Sequence, residues 1–291
     1  MWEEKIILRH SGRVIWGSCS PSGDYAASFG EDMCIMVYSF KENGVYAFIK
    51  SLGPGFTCAC WSPYNLLAIA FKNQGIYFWD IDRKKGLKKL LRHRAQINCM
   101  SWLNVLATGG EDKAIIIWDV DRGERLMVLR KHKKGVLTID WSPDGKYLVS
   151  GGRDKRVFIW EMGIERPLVE LPNHTDIVVA VAFSNDGRFI ASCTRDGILR
   201  IWRFGTWRLH KTVKLESAPQ SISWGPDDRR IAIACGDGKI AILDLPTLRL
   251  ESFNAHKECT TVADWCQQWD VILSGGGDGI VKLWKKRSQP F

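Results

Sequence analysis

Long hydrophobic runs are missing from this 291-residue sequence: no apolar stretch approaches the roughly 18 residues that span a bilayer, so no membrane insertion is expected. The opening MWEEKIILRH carries acids where a secretory leader would carry a basic region, and its apolar run is too short for one. Nine cysteines make an odd set, scattered without a paired framework and well below the density of a disulfide-stapled scaffold. Reduced thiols, and hence a cytoplasmic or nuclear protein, are the expectation. No segment sustains a 3.6-residue apolar stripe, which leaves little helix.

Catalytic signatures are lacking too. There is no Walker-type phosphate loop, no HExxH and no CxxC; Cys58 and Cys60, or Cys259 and Cys266, do not have the spacing of a zinc site. The glycine run at 275–279 precedes a strand and not a helix, so it reads as a turn and not a nucleotide cradle. An enzyme, a cofactor, a metal and a small-molecule substrate are all unexpected. With 45% hydrophobic and 25% charged residues the chain is nevertheless an ordinary globular one.

What it has instead is tryptophan, 14 of them. Tyr38, Trp79, Trp118, Trp160, Trp202, Leu243 and Trp284 recur every 39 to 42 residues, and Cys19, Trp61, Trp102, Trp141, Phe183, Trp224 and Trp265 form a second series. Ten of the 14 tryptophans fall in these two series, leaving Trp2, Trp16, Trp207 and Trp269 outside them. Within each period, short β-branched or aromatic runs alternate with Gly, Asp and Asn, as in VLTIDW, KYLVSGG, RVFIW and PLVEL. This is an all-β rhythm. A four-stranded unit of that size cannot bury both faces alone and must stack on a neighbour. Length by itself would suit two domains, but the repeat predicts one array over 1–291, with repeats at about 10–40, 50–80, 90–119, 129–161, 171–203, 213–244 and 253–285.

A histidine pattern runs through the same periods. From His10, His132, His174 and His256, offsets of 18, 22 and 28 reach Ser28, Asp32 and Tyr38; Ser150, Asp154 and Trp160; Ser192, Asp196 and Trp202; and Ser274, Asp278 and Trp284. His93 starts a shortened version with Thr108, Asp112 and Trp118. With the endings Trp79-Asp80, Trp118-Asp119 and Trp160-Glu161, the chain resembles the WD40-repeat β-propellers over nearly its whole length. The resemblance implies a seven-bladed β-propeller of four-stranded blades, in which these residues form a buried chain from Trp to Ser to His to Asp. Indole nitrogen only donates, a hydroxyl accepts, and imidazole bridges hydroxyl and carboxylate. Repetition, with the hydroxyl engaged by indole, argues for structure and not a hydrolytic triad. The second and sixth repeats lack the histidine; Asn73 stands for the Asp and Leu243 for the Trp.

Family architecture further implies that residues 5–9 supply the outer strand of the seventh blade, since the last repeat has no fourth strand of its own. It also implies a binding rim on one face, lined here by Arg13, Ile15, Glu31, Lys72, Gln96, Asn98, Glu111, Leu137, Arg153, Val179, Arg195 and Gln220. Mixed acids, arginines and aliphatics suit a protein or peptide partner within a larger complex, with the chain as non-catalytic scaffold. The net charge of +9 resolves into two places: Arg83, Lys84, Lys85, Lys88, Lys89, Arg92 and Arg94, against Asp82, and Lys285, Lys286 and Arg287. That basic patch either docks RNA or an acidic segment, as in an RNP component, or merely guards strand edges and a solvated tail. The absence of interleaved aromatics disfavours nucleic acid.

Overall fold

The computed structural model describes residues 2–50, 55–72, 75–91 and 93–287, the side chains of 88–91 excepted. Every element among them is a strand. Strand β1 (Trp2–Arg9) precedes blade 1, which is β2 (Val14–Cys19), β3 (Tyr25–Gly30), β4 (Cys34–Ser39) and β5 (Gly44–Lys50). Blade 2 is β6 (Phe56–Trp61), β7 (Leu66–Phe71), β8 (Gly75–Asp80) and β9 (Lys85–Leu91); blade 3 is β10 (Ile97–Trp102), β11 (Leu106–Gly110), β12 (Ala114–Asp119) and β13 (Glu124–Arg130). Blade 4 is β14 (Val136–Trp141), β15 (Tyr147–Gly152), β16 (Val157–Glu161) and β17 (Pro167–Leu171); blade 5 is β18 (Val178–Phe183), β19 (Phe189–Thr194), β20 (Ile198–Arg203) and β21 (Arg208–Lys214). Blade 6 is β22 (Pro219–Trp224), β23 (Arg230–Cys235), β24 (Lys239–Asp244) and β25 (Arg249–Asn254), and β26 (Thr260–Cys266), β27 (Val271–Gly276) and β28 (Ile280–Lys286) belong to blade 7.

Strands within a blade pair antiparallel in chain order, and β1 completes blade 7 by pairing with β28 from Trp2 opposite Lys286 to Arg9 opposite Ile280. The closing strand predicted at 5–9 is real and longer, because Trp2 stacks on Phe253 and extends the anchored segment. The fold is thus the expected seven-bladed β-propeller class, seven blades of four strands with the N-terminal strand in the last. Blades 6, 7 and 1 form one compact unit and blades 2 to 5 another. In the first, β26 packs against both β22 and β2; in the second, β6, β10, β14 and β18 pack in succession.

Second strands are buried almost throughout, and they carry small residues such as Ala26, Ala68, Ala70, Ala232 and Ala234 where another blade covers them. Tryptophans fill the layers between blades: Trp118 lies with Cys58, Phe78 and Ile97, Trp160 with Ala107 and Ile139, Trp202 with Val149 and Ile159, Trp284 with Ala232 and Ile242. Truncating one such indole to alanine costs about 3–5 kcal/mol. Two of the unassigned tryptophans find roles in turns: Trp269 stacks on Phe40 and donates to the Gly23 carbonyl at 2.7 Å, and Trp207 packs on Phe204.

One expectation about the cysteines is corrected. Cys19 and Cys266 are joined in a disulfide with Cα atoms 5.5 Å apart, tying β2 to β26. Their sequence separation of 247 concealed the pair; the abutting inner strands of blades 1 and 7 create it. The other seven cysteines are free, and burial pushes the Cys58 thiol up to about 12, which suits a packing residue and not a nucleophile.

Candidate functional site

The histidine sets fall into three kinds. In blades 3, 4 and 7 the whole relay is present. His132 Nδ1 lies 3.0 Å from Asp154, its Nε2 lies 2.8 Å from Ser150 Oγ, and Trp160 Nε1 donates to that oxygen at 2.8 Å. His93, Asp112, Thr108 and Trp118 repeat this at 3.0, 2.7 and 2.9 Å, and His256, Asp278, Ser274 and Trp284 at 2.8 Å throughout. The carboxylate also accepts the amide of the residue after the histidine, as Asp154 does from Lys133 at 2.8 Å. Burial pushes the Asp154 carboxyl up, but the His132 hydrogen bond and charge, with the Lys133 and Arg156 amides, outweigh it and leave it below the ordinary value.

Blade 1 keeps His10 bonded to Asp32 at 3.0 Å and to Ser28 at 2.8 Å, but Tyr38 does not join. Its hydroxyl turns to Asn43 and receives Lys5 Nζ at 3.2 Å, because a phenol cannot place a donor where indole nitrogen sits. In blade 5 the chain breaks at the other end. Trp202 and His174 still meet Ser192 at 3.0 and 2.9 Å, yet His174 Nδ1 turns to the Leu171 carbonyl at 3.2 Å while Asp196 takes the Thr194 hydroxyl at 2.6 Å.

Residue 194 explains the difference. Two places after the hydroxyl residue, the other four sets carry Gly30, Gly110, Gly152 and Gly276. A Cβ built on Gly30, Gly110 or Gly152 would lie 2.5, 2.7 or 3.3 Å from the imidazole Nδ1, and at Gly276 it would collide with the His256 ring. Thr194 puts a side chain in that space, keeps His174 from its carboxylate and replaces it as the donor. Burial first, and then the nearby Arg200 guanidinium, hold the His174 imidazole down to about 4, with only the Leu171 carbonyl acting against them. Arg200 is itself buried, with Nη1 lacking a partner among the described residues. Among the described residues blade 2 shows no relay, and Trp79 Nε1 is a buried donor without an acceptor there; Asn73 lies outside the described residues.

Two buried carboxylates were not anticipated. Asp140 on β14 accepts from Ser101 of blade 3 at 3.3 Å and from the Phe183 amide of blade 5 at 2.8 Å. Asp264 on β26 takes Ser223 of blade 6 at 3.1 Å, and Ser18 and the Cys19 amide of blade 1 at 2.8 and 2.9 Å. Each stitches three inner strands together. Desolvation pushes Asp140 up to about 7 and raises Asp264. The Asp-Trp pairs at 140–141 and 264–265 were the available sequence signal.

Five of the twelve residues expected on the rim share a backbone feature. Every innermost strand carries a register shift at the same place, skipping Ile15, Thr57, Asn98, Leu137, Val179, Gln220 and Thr261. A bulge of this kind leaves one residue out of the ladder and re-aims its side chain. Five of the seven were expected; Thr57 and Thr261 were missed because a bulge leaves no compositional mark. Within blades 3 to 5, Asn98 Nδ2 donates to Glu111 at 3.1 Å, Arg153 meets Glu111 at 3.0 Å and Arg195 meets Asp176 at 3.6 Å. Leu137, Val179 and Gln96 are half-buried; Lys72, Arg13, Glu31 and Gln220 are exposed, and Ile15 is an exposed aliphatic.

The basic patch is more engaged than a charge count conveys. Arg83 meets Asp80 at 3.6 Å, Lys84 occupies a turn with positive φ, and Lys85 opens β9, which also carries Lys88 and Lys89. Arg94 is exposed, and Arg92 lies outside the described residues. Lys285 and Lys286 are no solvated tail: they belong to β28 opposite Glu3 and Trp2, and Arg287 meets Glu3 at 3.0 Å.

Comparison with protein families agrees with this geometry. A family model described as the WD domain, G-beta repeat, matches residues 84–119, and one described as the IFT122 first beta-propeller matches residues 104–291. No match was found among curated proteins. Because the larger match covers well over half of the sequence and the blades are built as the repeat requires, the chain belongs to the IFT122 first beta-propeller family of WD-repeat propellers.

Proposed function

We propose that the protein is a non-catalytic scaffold that holds an extended segment of a protein partner on the bulged rim. Propellers of this family generally serve as protein-interaction scaffolds. The observation that carries the reading is the recurrence of one β-bulge in all seven inner strands, a costly irregularity that frees a side chain at equivalent points. In the unit of blades 2 to 5 the bulges fall at Asn98, Leu137 and Val179, and Glu111, Arg153 and Arg195 follow directly on the second strands of the same three blades, a mixture of polar, aliphatic and charged groups that suits a peptide with mixed side chains. Arg13, Ile15, Glu31 and Gln220 offer the same mixture on the other unit. In blades 3, 4, 5 and 7 indole occupies the hydroxyl of the set, and in blade 1, where Tyr38 does not join, His10 and Ser28 are buried, which supports a structural use of all five sets.

The alternative, RNA on residues 83–94 and 285–287, has weaker support. Arg83 and Arg287 already hold carboxylates, and Lys285 and Lys286 sit in a paired strand.

Affinity capture of the full chain from its native cells, read by mass spectrometry, separates the two. The double change Arg153→Glu and Arg195→Glu should abolish capture of the principal partner, whereas Lys84→Glu with Lys85→Glu should leave it intact. Exposed pairs such as Arg153 with Glu111 contribute only about 0–1 kcal/mol to folding, so the rim variant will still fold. Full retention of the partner by the rim variant overturns the proposal.

A further inference from the structure

The hairpin joining β20 to β21 carries a concentration of positive charge; Arg200 is buried and Lys214 donates to the Asp196 carbonyl, but Arg203 and Arg208 serve neither the fold nor the rim. Residues 198–214 contain Arg200, Arg203, Arg208, Lys211 and Lys214 and no acid. At the base of the hairpin Arg203 and Arg208 are direct cross-strand neighbours. Like charges placed opposite each other in a ladder repel and weaken the sheet. Most exposed arginines elsewhere in the protein that stand beside a turn have a carboxylate: Arg83 with Asp80, Arg122 with Asp119, Arg188 with Asp186. Arg203 and Arg208 have none within ion-pair distance among the described residues.

Both line a cleft of about 340 Å³ together with Thr206, Leu209 and His210. The site is built and not accidental. Phe204 anchors the turn by packing on Tyr147, Phe183 and Trp207. Gly205 and Trp207 adopt positive φ, so the chain reverses tightly enough to bring the two arginines side by side, with Trp207 N donating to Arg203 O at 2.9 Å. Phe189 forms a floor: the Arg203 guanidinium lies 5.9 Å and the His210 ring 5.3 Å from its ring centre. Stacked cations of this kind are held in place with their N–H groups free for a ligand. The Thr206 hydroxyl is engaged only weakly, by the Arg203 carbonyl at 3.4 Å. His210 is the one histidine outside the structural sets. Burial first, and then the charges of Arg203 and Lys211, hold its imidazole below the ordinary value, a sign that the cleft holds more positive charge than its own groups neutralise.

We infer that this cleft on blade 5 binds a phosphomonoester dianion, with Arg203 and Arg208 as paired guanidinium donors and Thr206 and His210 as further hydrogen-bond donors. A phosphoryl group offers three acceptor oxygens and nearly two negative charges, which match two guanidinium forks better than a single carboxylate does. The exposed Leu209 at the edge gives an apolar contact for the group that carries the phosphate. Neither the rim residues nor the inner strands take part, so this site and the rim proposal stand or fall separately.

Isothermal titration calorimetry of the full chain with three probes tests it: inorganic phosphate, a pentapeptide with a central phosphoserine flanked by alanines, and the same peptide unphosphorylated. We expect phosphate and phosphopeptide to bind and the unphosphorylated peptide not to. Tighter binding of the phosphopeptide identifies a phosphorylated side chain as the natural source; equal or tighter binding of phosphate identifies a free anion. Arg203→Gln or Arg208→Gln should each weaken binding at least tenfold while leaving the melting temperature unchanged or raised, because a like-charge pair has been relieved. Absence of binding by either phosphorylated probe, or binding that survives both substitutions, overturns the inference. The His210 ring-proton resonance should shift on titration in the wild-type protein and not in the Arg203→Gln, Arg208→Gln double variant.

Discussion

Thr194 makes blade 5 the acid-sensitive blade, and Thr194→Gly should remove that sensitivity. His174 titrates near 4 in the folded chain, against 6.5 for a free imidazole. As pH falls below 6.5 the unfolded chain takes up a proton that the folded chain refuses, so stability is lost progressively until the pH reaches about 4. Each pH unit of displacement corresponds to about 1.4 kcal/mol, so the full window is worth roughly 3 kcal/mol, or about 6–12 °C in melting temperature for a chain of this size. Glycine at 194 opens the space that Gly152 provides in blade 4, lets His174 Nδ1 donate to Asp196, and raises the imidazole from its value of about 4. The substitution itself costs about 0.5–1 kcal/mol at neutral pH, because glycine in a strand adds chain entropy to the unfolded state. Asp140 acts with the opposite sign, since a carboxyl raised to about 7 gains its proton in the folded state first and so stabilises on acidification. The difference between wild type and variant cancels that background and the smaller contribution of His256. The assay is thermal melting at pH 7.5 and 4.5 for wild type, Thr194→Gly and His174→Gln. Both variants should lose less stability than wild type over this interval, the glycine variant while retaining the histidine. An unchanged difference between the two pH values in Thr194→Gly would refute the steric account of the broken relay.

Two other outcomes can be checked the same way. Asp140→Asn removes a buried charge while its side-chain oxygen can still accept from Phe183 N; melting above pH 7 should rise and the stability that wild type loses as pH climbs from about 4 to about 7 should no longer be lost, and a fall of several degrees would mean that the charge itself holds the strands. Deleting residues 1–9 removes the seven cross-strand pairs to β28 and the buried Leu8, so melting should fall by more than about 10 °C; an unchanged melting curve would contradict the closing role of β1.

Repetition made most of the architecture legible. Period, strand rhythm and the aromatic series determined the blade count, because stacked blades impose one environment on each equivalent position and the sequence must answer it seven times. The closing strand was readable for the same reason: a last repeat short of one strand and a first repeat with one too many. Several local features were not readable. A bulge depends on how a strand meets its neighbour's register, so Thr57 and Thr261 carried no mark. Cys19 and Cys266 lie at opposite ends of the chain, and only abutting inner strands bring them together. Charge counting along the sequence treated Lys285 and Lys286 as a tail and passed over Arg203 and Arg208, since acids elsewhere balanced the sum.

The sequence alone determined the class of fold, the number of blades and the residue types of the hydrogen-bonded sets, all of which follow from periodic burial. Only the tertiary structure decided which sets close. Whether His174 reaches Asp196 depends on a single methyl-bearing side chain filling a space that lies empty in its four counterparts, and space of that kind exists only once blades have packed.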